Sequence, residues 1–269
     1  MANTVLITGS SSGIGRATAE YFQAKGWNVA ATMRKPDQAG DWIRGTNIVG
    51  LPLDVTQPQS IRAAVDQAIS RFGAIDVLVN NAGYGLVGPF EASTSEQVER
   101  QFSTNVIGLM NTTREVIPHF RERRRGTIIN VSSMGGRVTF PLYSVYHATK
   151  WAVEGFSEAL LYELEPLGIR IKIIEPGAIK TDFYDRSMDV MHKPGLTAYD
   201  GFVAKAMPNM QRAGETAPGP ELVAKTIFKA ATDGSSRLRY PVNAQAVLAL
   251  RKLLPVRAFI AVIRSQVVK

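Results

Sequence analysis

The chain has 269 residues, 45% of them hydrophobic, and a formal net charge of +8, which suits one large α/β domain. It has no cysteine and three scattered histidines, His119, His147 and His192, so disulfides and thiolate metal sites are excluded and no metal-ligand spacing remains. No opening stretch has a signal-peptide h-region and no apolar run reaches spanning length, so the cytoplasm is the expected setting.

Residues 4–8 read as a short buried strand running into Gly9-Ser10-Ser11-Ser12-Gly13-Ile14-Gly15 and then a helical pattern over 17–25. A strand, a glycine-rich turn and a helix start make a phosphate site: the backbone can approach a pyrophosphate, and the helix N-terminus offers amide donors. The spacing is G-x-x-x-G-x-G rather than G-x-G-x-x-G, and such a turn standing alone is often only a turn. A second strand spans 28–33. Where an NAD fold carries an acid for the ribose 2′-hydroxyl, this chain reads Ala31-Thr32-Met33-Arg34-Lys35. The missing acid and a guanidinium able to grip a phosphate favour NADP over NAD, although Arg34 and Lys35 also suit a plain surface loop.

Further strands are expected over 48–53, 76–79, 126–131 and 170–174, with an amphipathic helix over 58–72 and helical character over 95–120 that includes Asn105. The run 121–125 reads as a solvated basic helix end. Alternating strands and helices predict a parallel sheet covered on both faces, a doubly wound three-layer α/β/α domain. Ligands of such sheets sit at the carboxyl ends of the strands. The glycine turn, Asp54, Asn80 to Gly83, Ser133 and Pro176-Gly177 all fall there.

Tyr146 and Lys150 lie four apart in a helical pattern and so share a face. An ammonium about 4 Å from the phenol, at an effective dielectric near 20, would favour the phenolate by roughly 4 kcal/mol, or about three pKa units. That brings a tyrosine into the useful range for a general acid/base. A Tyr-x-x-x-Lys pair also arises by chance, so its weight comes from its companions.

Together Thr8 to Gly15, Asp54, Asn80 to Gly83, Asn105, Ser133, Tyr146-x-x-x-Lys150 and Pro176-Gly177 resemble the short-chain dehydrogenase/reductase family, closely over 3–180 and in outline to about 235. Residues 31–34 and the long tail look most like its hydroxysteroid and retinol dehydrogenase branch. The resemblance implies a Rossmann-type fold and roles for the matching positions. Tyr146 would be the acid/base on the carbonyl or alcohol oxygen, and Ser133 would hydrogen-bond that oxygen. Lys150 would lower the Tyr146 pKa and bind the nicotinamide ribose, while Asn105 would hold a relay water. Gly9, Ser11, Ser12, Gly13, Ile14 and Gly15 would take the phosphates, Arg34 the 2′-phosphate, and Asp54 and Val55 the adenine. Asn81, Ala82 and Gly83 would line the cofactor, and Pro176, Gly177, Ile179 and Thr181 would hold its nicotinamide end and pyrophosphate. A non-catalytic nucleotide-binding module on the same fold is the alternative, but it need not keep Asn105, Ser133, Tyr146 and Lys150. Assembly as two or four copies is expected.

Residues 182–217 break the regular pattern and carry Met188, Met191, Met207, Met210, Tyr184, Tyr199 and Phe202. They read as an irregular lid over an apolar carbonyl or alcohol substrate, or as a plain loop packing its own side chains. Met134, Phe140, Leu142 and Tyr143 are candidates for the pocket wall. Within a catalytic domain over 1–240 and a tail over 241–269, the basicity is concentrated late: residues 234–269 contain no Asp or Glu but hold Arg237, Arg239, Arg251, Lys252, Arg257, Arg264 and Lys269. No nucleic-acid motif accompanies these charges. Two amphipathic helices, 243–254 and 256–268, are expected on either side of Pro255. They suit peripheral contact with an anionic membrane, or packing on the domain or a second subunit with the charges solvated.

Overall fold

The structure, a computed structural model, describes residues 2–181 and 188–268. Strands β1 (Thr4–Ile7), β2 (Asn28–Met33), β3 (Ile48–Pro52) and β4 (Val77–Asn80) are followed by the short β5 (Gly85–Val87), then β6 (Gly126–Val131), β7 (Ile169–Pro176), β8 (Met188–Val190) and β9 (Arg239–Val242). Seven of them form one parallel sheet in the order β3-β2-β1-β4-β6-β7-β9, while β5 pairs with β8 in a separate parallel ribbon. Helices α1 (Gly13–Ala24), α2 (Pro58–Phe72), α3 (Ser95–Phe102), α4 (Gly108–Arg123) and α5 (Ser144–Leu164) precede α6 (Asp200–Glu215), α7 (Glu221–Thr232), α8 (Gln245–Leu253) and α9 (Val256–Val267).

The strand period of two sorts the core into two layers. Val5 and Ile7 pack with Phe22 of α1 and Val223 and Ile227 of α7. Leu6, between them, packs on the other side with Ile61 of α2, Val116 and Phe120 of α4 and Leu160 of α5. Both faces are covered, which is why the strands are almost wholly apolar. The expected three-layer doubly wound fold is the observed one. The strand order reverses between β1 and β4, and a crevice opens at such a switch point beyond the carboxyl ends.

Three expectations change. β9 was not anticipated, because its four residues include Pro241; at the sheet's edge a missing N–H is tolerated. It carries the sheet two residues past the expected boundary at 240/241. The lid is not irregular: beyond 182–187, which lie outside the described residues together with Tyr184, most of it is the helix α6. Pro208 sits inside α6 on its exposed side, while Ala206 and Met210 turn inward. The basic run at 121–125 is not simply solvated. Arg123 Nη2 and Arg125 Nη2 both reach Asp76 Oδ1, at 2.9 and 2.6 Å, fastening the end of α4 to the start of β4.

Candidate active site

The crevice is a cleft of about 860 Å³. One end is built on β1 and β4. Thr8 Oγ1 accepts the backbone N–H groups of Asn81 (3.0 Å) and Ala82 (3.1 Å), and Asn81 Nδ2 donates to the Thr8 and Gly9 carbonyls. These bonds clamp the two strand ends together so tightly that a Cβ on Gly15 would meet Asn81 Nδ2 at 2.5 Å and also the Gly9 carbonyl. Gly9 has φ +70, and a Cβ there would lie 2.8 Å from the Ala82 Cα. Ser12, the N-cap of α1, makes no side-chain bond to the first turn, and that turn holds no acid. Its amides are left for an anion, so the turn fits the phosphates of a dinucleotide. Arg34 is exposed at the cleft, just past the buried Met33, and among the described residues no carboxylate pairs with it.

At the other end of the same wall, Pro176-Gly177 follows β7. Gly177 N donates to the Val242 carbonyl at 2.8 Å and Asn243 Nδ2 to the Ala178 carbonyl at 2.9 Å. A Cβ on Gly177 would strike the Asn243 carbonyl.

The chemistry-bearing residues stand between. Tyr146 and Lys150 are one turn apart on α5, and the Lys150 Nζ sits 5.7 Å from the Tyr146 ring centroid. Lys150 is buried and donates to the Val131 carbonyl at 2.9 Å. Burial lowers its pKa to about 8, against an upward pull from Glu154 one turn further on. Glu154 in turn accepts from Arg239 Nε at 3.0 Å, and the buried Glu175 lies 3.6 Å from the same nitrogen. Ser133 Oγ accepts the Gly135 N–H at 3.0 Å and lies in the cleft. A buried ladder holds α5 in place: Asn80 Nδ2 donates to Asn130 Oδ1 at 2.9 Å, and Asn130 Nδ2 to Ser157 Oγ at 2.8 Å.

Every site residue expected from the sequence lines this cleft except Asn105. Asn105 is buried in a π-helical turn between α3 and α4. Its Oδ1 accepts the Tyr84 N–H at 3.1 Å, and its Nδ2 donates to the Tyr84 carbonyl at 2.9 Å and to Thr149 Oγ1 at 3.2 Å. The side chain is thus committed to fixing the loop after β4 against α5, and a relay water would have to meet the backbone of the π turn.

The family model for short chain dehydrogenases matches residues 3–190. The chain belongs to the short-chain dehydrogenase family. It is 42% identical over 236 residues to an uncharacterized oxidoreductase of Schizosaccharomyces pombe, covering 87% of this chain and 99% of the relative. It is 44% identical over 181 residues to a 3-ketodihydrosphingosine reductase of Bacteroides thetaiotaomicron, covering 67% and 65%. Among solved structures, a short-chain dehydrogenase from Streptomyces avermitilis superposes with a TM-score of 0.84 at 33% identity, over 98% of this chain and 96% of that one. Two others hold cofactor: one from Burkholderia phymatum in complex with NAD (TM-score 0.83, 25% identity, covering 97% and 95%) and ElxO with NADP bound (0.74, 26%, covering 90% and 97%). The chain is therefore an oxidoreductase of a family whose typical cofactor is NAD(P). None of these relatives singles out the hydroxysteroid or retinol dehydrogenase branch.

The substrate side of this short-chain dehydrogenase was only partly legible. Met134, Phe140 and Tyr143 line the cleft as expected, with Met188 and Met210 of the lid. Leu142 instead packs behind Tyr143 in a left-handed backbone conformation (φ 67), and Met191 is buried against Leu86 and Val145. Residues that sequence reasoning missed are Tyr84, Arg100, His147, Asp189, Asn209, Gln266 and Val267. Arg100 pairs with Asp189 and donates from Nε to Tyr84 Oη at 3.4 Å, while Gln97 Nε2 holds Asp189 Oδ1 at 3.2 Å. His147 is stacked on Tyr143, their ring centroids 5.6 Å apart, and burial lowers its pKa to about 4. The tail closes the far wall, where Asn209 Nδ2 of α6 donates to the Val267 carbonyl of α9 at 3.1 Å.

Proposed function

We propose that the chain is an NADP-dependent oxidoreductase that interconverts an apolar alcohol with its ketone or aldehyde. The observation that carries this reading is the meeting of Ser133, Tyr146 and Lys150 with the glycine turn in one cleft, with Met134, Phe140, Tyr143, Met188 and Met210 as the apolar part of its remaining wall. NADP, when bound, supplies or takes the hydride. Tyr146 gives or receives the proton on the substrate oxygen, and Ser133 orients that oxygen from the opposite loop. Lys150 draws the phenol toward its ionised form and holds the ribose. The thioethers and rings suit an apolar chain of variable shape, while Arg100, Asp189, Asn209 and Gln266 add polar points to the same wall. The Bacteroides relative, whose name gives a ketone as its substrate, supports the carbonyl class.

The cofactor preference rests on Arg34, exposed at the cleft next to Met33 where an acid would repel a 2′-phosphate. A charge-assisted bond of roughly 1.5–3 kcal/mol corresponds to about 10- to 150-fold in affinity. A screen of apolar ketones and aldehydes, read by NADPH consumption, tests the activity. Titration with both nucleotides tests the preference: Arg34→Ala should narrow it and Met33→Asp should reverse it. Equal affinities of the unaltered chain for NADH and NADPH would overturn the NADP reading.

A further inference from the structure

Helix α9 has two apolar faces. The inner one is accounted for: Phe259 and Ile263 are buried on Val138, beside Met134 and Phe140. That packing holds this face of α9 on the domain. The outer face is left in water. Val256 and Ile260, one turn apart, are 54% and 46% exposed, and Leu253, at the corner where α8 gives way to α9, is 79% exposed.

Scattered surface hydrophobics are ordinary. These three are grouped at one corner, and every charged residue of the segment that carries them, 234–269, is basic. Lys252, Arg257 and Arg264 are exposed around them, and no Asp or Glu occurs from residue 234 to 269. Arg251 is turned inward, its guanidinium 5.7 Å from the Phe259 ring centroid. Exposed leucine, valine and isoleucine flanked on their own helices by Lys252, Arg257 and Arg264 complement an acyl boundary beneath anionic headgroups. A second copy of the chain is a poor occupant, because its own flanking cations would meet like charge. Among the described residues no helix is long and apolar enough to cross a membrane, so any contact is at the surface.

We propose that the α8–α9 corner docks on an anionic phospholipid surface, with Leu253, Val256 and Ile260 entering the acyl boundary and Lys252, Arg257 and Arg264 on the headgroups. Gln266 and Val267, on the last turn of the same helix, line the cleft. A docked corner would therefore hold the cleft beside the bilayer, so that an apolar substrate could pass from lipid to Tyr146 with little exposure to water. This last consequence rests on the activity proposed above; the docking does not.

Co-sedimentation of the full chain with vesicles tests it, with no substrate present. Binding is expected to vesicles of equimolar phosphatidylserine and phosphatidylcholine at low salt. It should be weak or absent with phosphatidylcholine alone, and should fall with added salt. Each cation near an anionic surface contributes about 1 kcal/mol, so Lys252→Glu or Arg257→Glu should weaken binding at least about fivefold. The combined variant Leu253→Ser, Val256→Ser and Ile260→Ser should lose most of it while melting as the parent does, because all three side chains already face solvent. Absence of binding at low salt, equal binding to neutral vesicles, or binding unchanged in the triple variant would each overturn the proposal. So would dimerisation that the triple variant abolishes without any vesicle binding, which would make the corner an interface between copies. A chain that binds vesicles but turns over no carbonyl would sink only the activity.

Discussion

The two sides of the cleft are built differently. On the nucleotide side, the ends of β1 and β4 are locked by four hydrogen bonds between Thr8 or Gly9 and Asn81 or Ala82, and no Cβ fits on Gly15. On the substrate side, a three-residue ribbon, the helix α6 and the tail meet in a small apolar cluster that includes Val87, Met188, Ala206, Met210 and Val267, with the half-exposed Arg100–Asp189 pair tying α3 to β8 and the Asn209–Val267 bond tying α6 to α9. The ligand of the first side does not vary, so backbone geometry can be fixed around it. The second side rests on side-chain packing and a few half-exposed polar contacts rather than on interlocked backbone, so it can be altered residue by residue.

The largest effect should come where the sides meet. Tyr146→Phe removes the hydroxyl assigned above as the proton donor and keeps the ring, so turnover should fall by about 10²- to 10⁴-fold while NADPH affinity, followed by fluorescence titration, stays nearly unchanged. Lys150→Ala should damage both. Retention of most of the rate by Tyr146→Phe would break the division of labour between the sides.

A second test concerns His147, buried in the substrate wall with its pKa lowered to about 4 from the usual 6.5. Unfolding at acid pH lets it take up a proton that the fold refuses. Its contribution to stability is thus complete above about pH 6.5, is lost as pH falls, and levels off below about pH 4. The whole loss is of order 3 kcal/mol. Chemical denaturation across this range should show the slope, and His147→Phe, which can still stack on Tyr143, should flatten it. An unchanged slope in the variant would assign the acid sensitivity elsewhere.

Two glycine substitutions sharpen the contrast. Gly15→Ala drives a methyl into Asn81 and should destabilise the fold by about 1–3 kcal/mol, together with loss of nucleotide binding. Gly201→Ala lies in α6 on the substrate side, where the added Cβ meets nothing within 4 Å. It should be neutral, or stabilise by up to about 1 kcal/mol through helix propensity. Thermal melts of the pair, with and without nucleotide, measure how differently the two positions tolerate a methyl group. The smallest effect is expected from Arg100→Ala. It removes a half-exposed ion pair worth at most about 1 kcal/mol, so the melting temperature should hold, KM should change severalfold, and nucleotide affinity should not move. A large loss of nucleotide affinity would show that the sides are coupled.

The same contrast explains what could be read from the sequence. The nucleotide side is made of contiguous motifs at strand ends, so Gly9 to Gly15, Asp54 and Asn81 to Gly83 are legible in the sequence, as is the one-turn spacing of Tyr146 and Lys150 on a helix. The substrate side is made of long-range pairings. β5 meets β8 across about a hundred residues, each with only three residues of pattern. The partnership of Tyr84, Arg100 and Asp189 exists only once that ribbon has formed. Helix α6 did leave a signal, Val203, Ala206, Met207 and Met210 at helical spacing, which Pro208 and two glycines obscured. The π turn at Asn105 is invisible to periodicity, because it depends on what the turn must reach, here the Tyr84 backbone and Thr149.

The backbone contact between Gly177 and Asn243 bears on how such proteins diversify. The loop that would hold the nicotinamide end and the root of the tail touch too closely for a methyl group, and Asn243 itself sits in a left-handed conformation (φ 52) to make the fit. The tail is therefore not an interchangeable cassette hung on a finished domain. Exchanging it between relatives with a joint before residue 243 would disturb the floor of the cleft along with its far wall. A joint at residue 245 or later should leave the floor untouched.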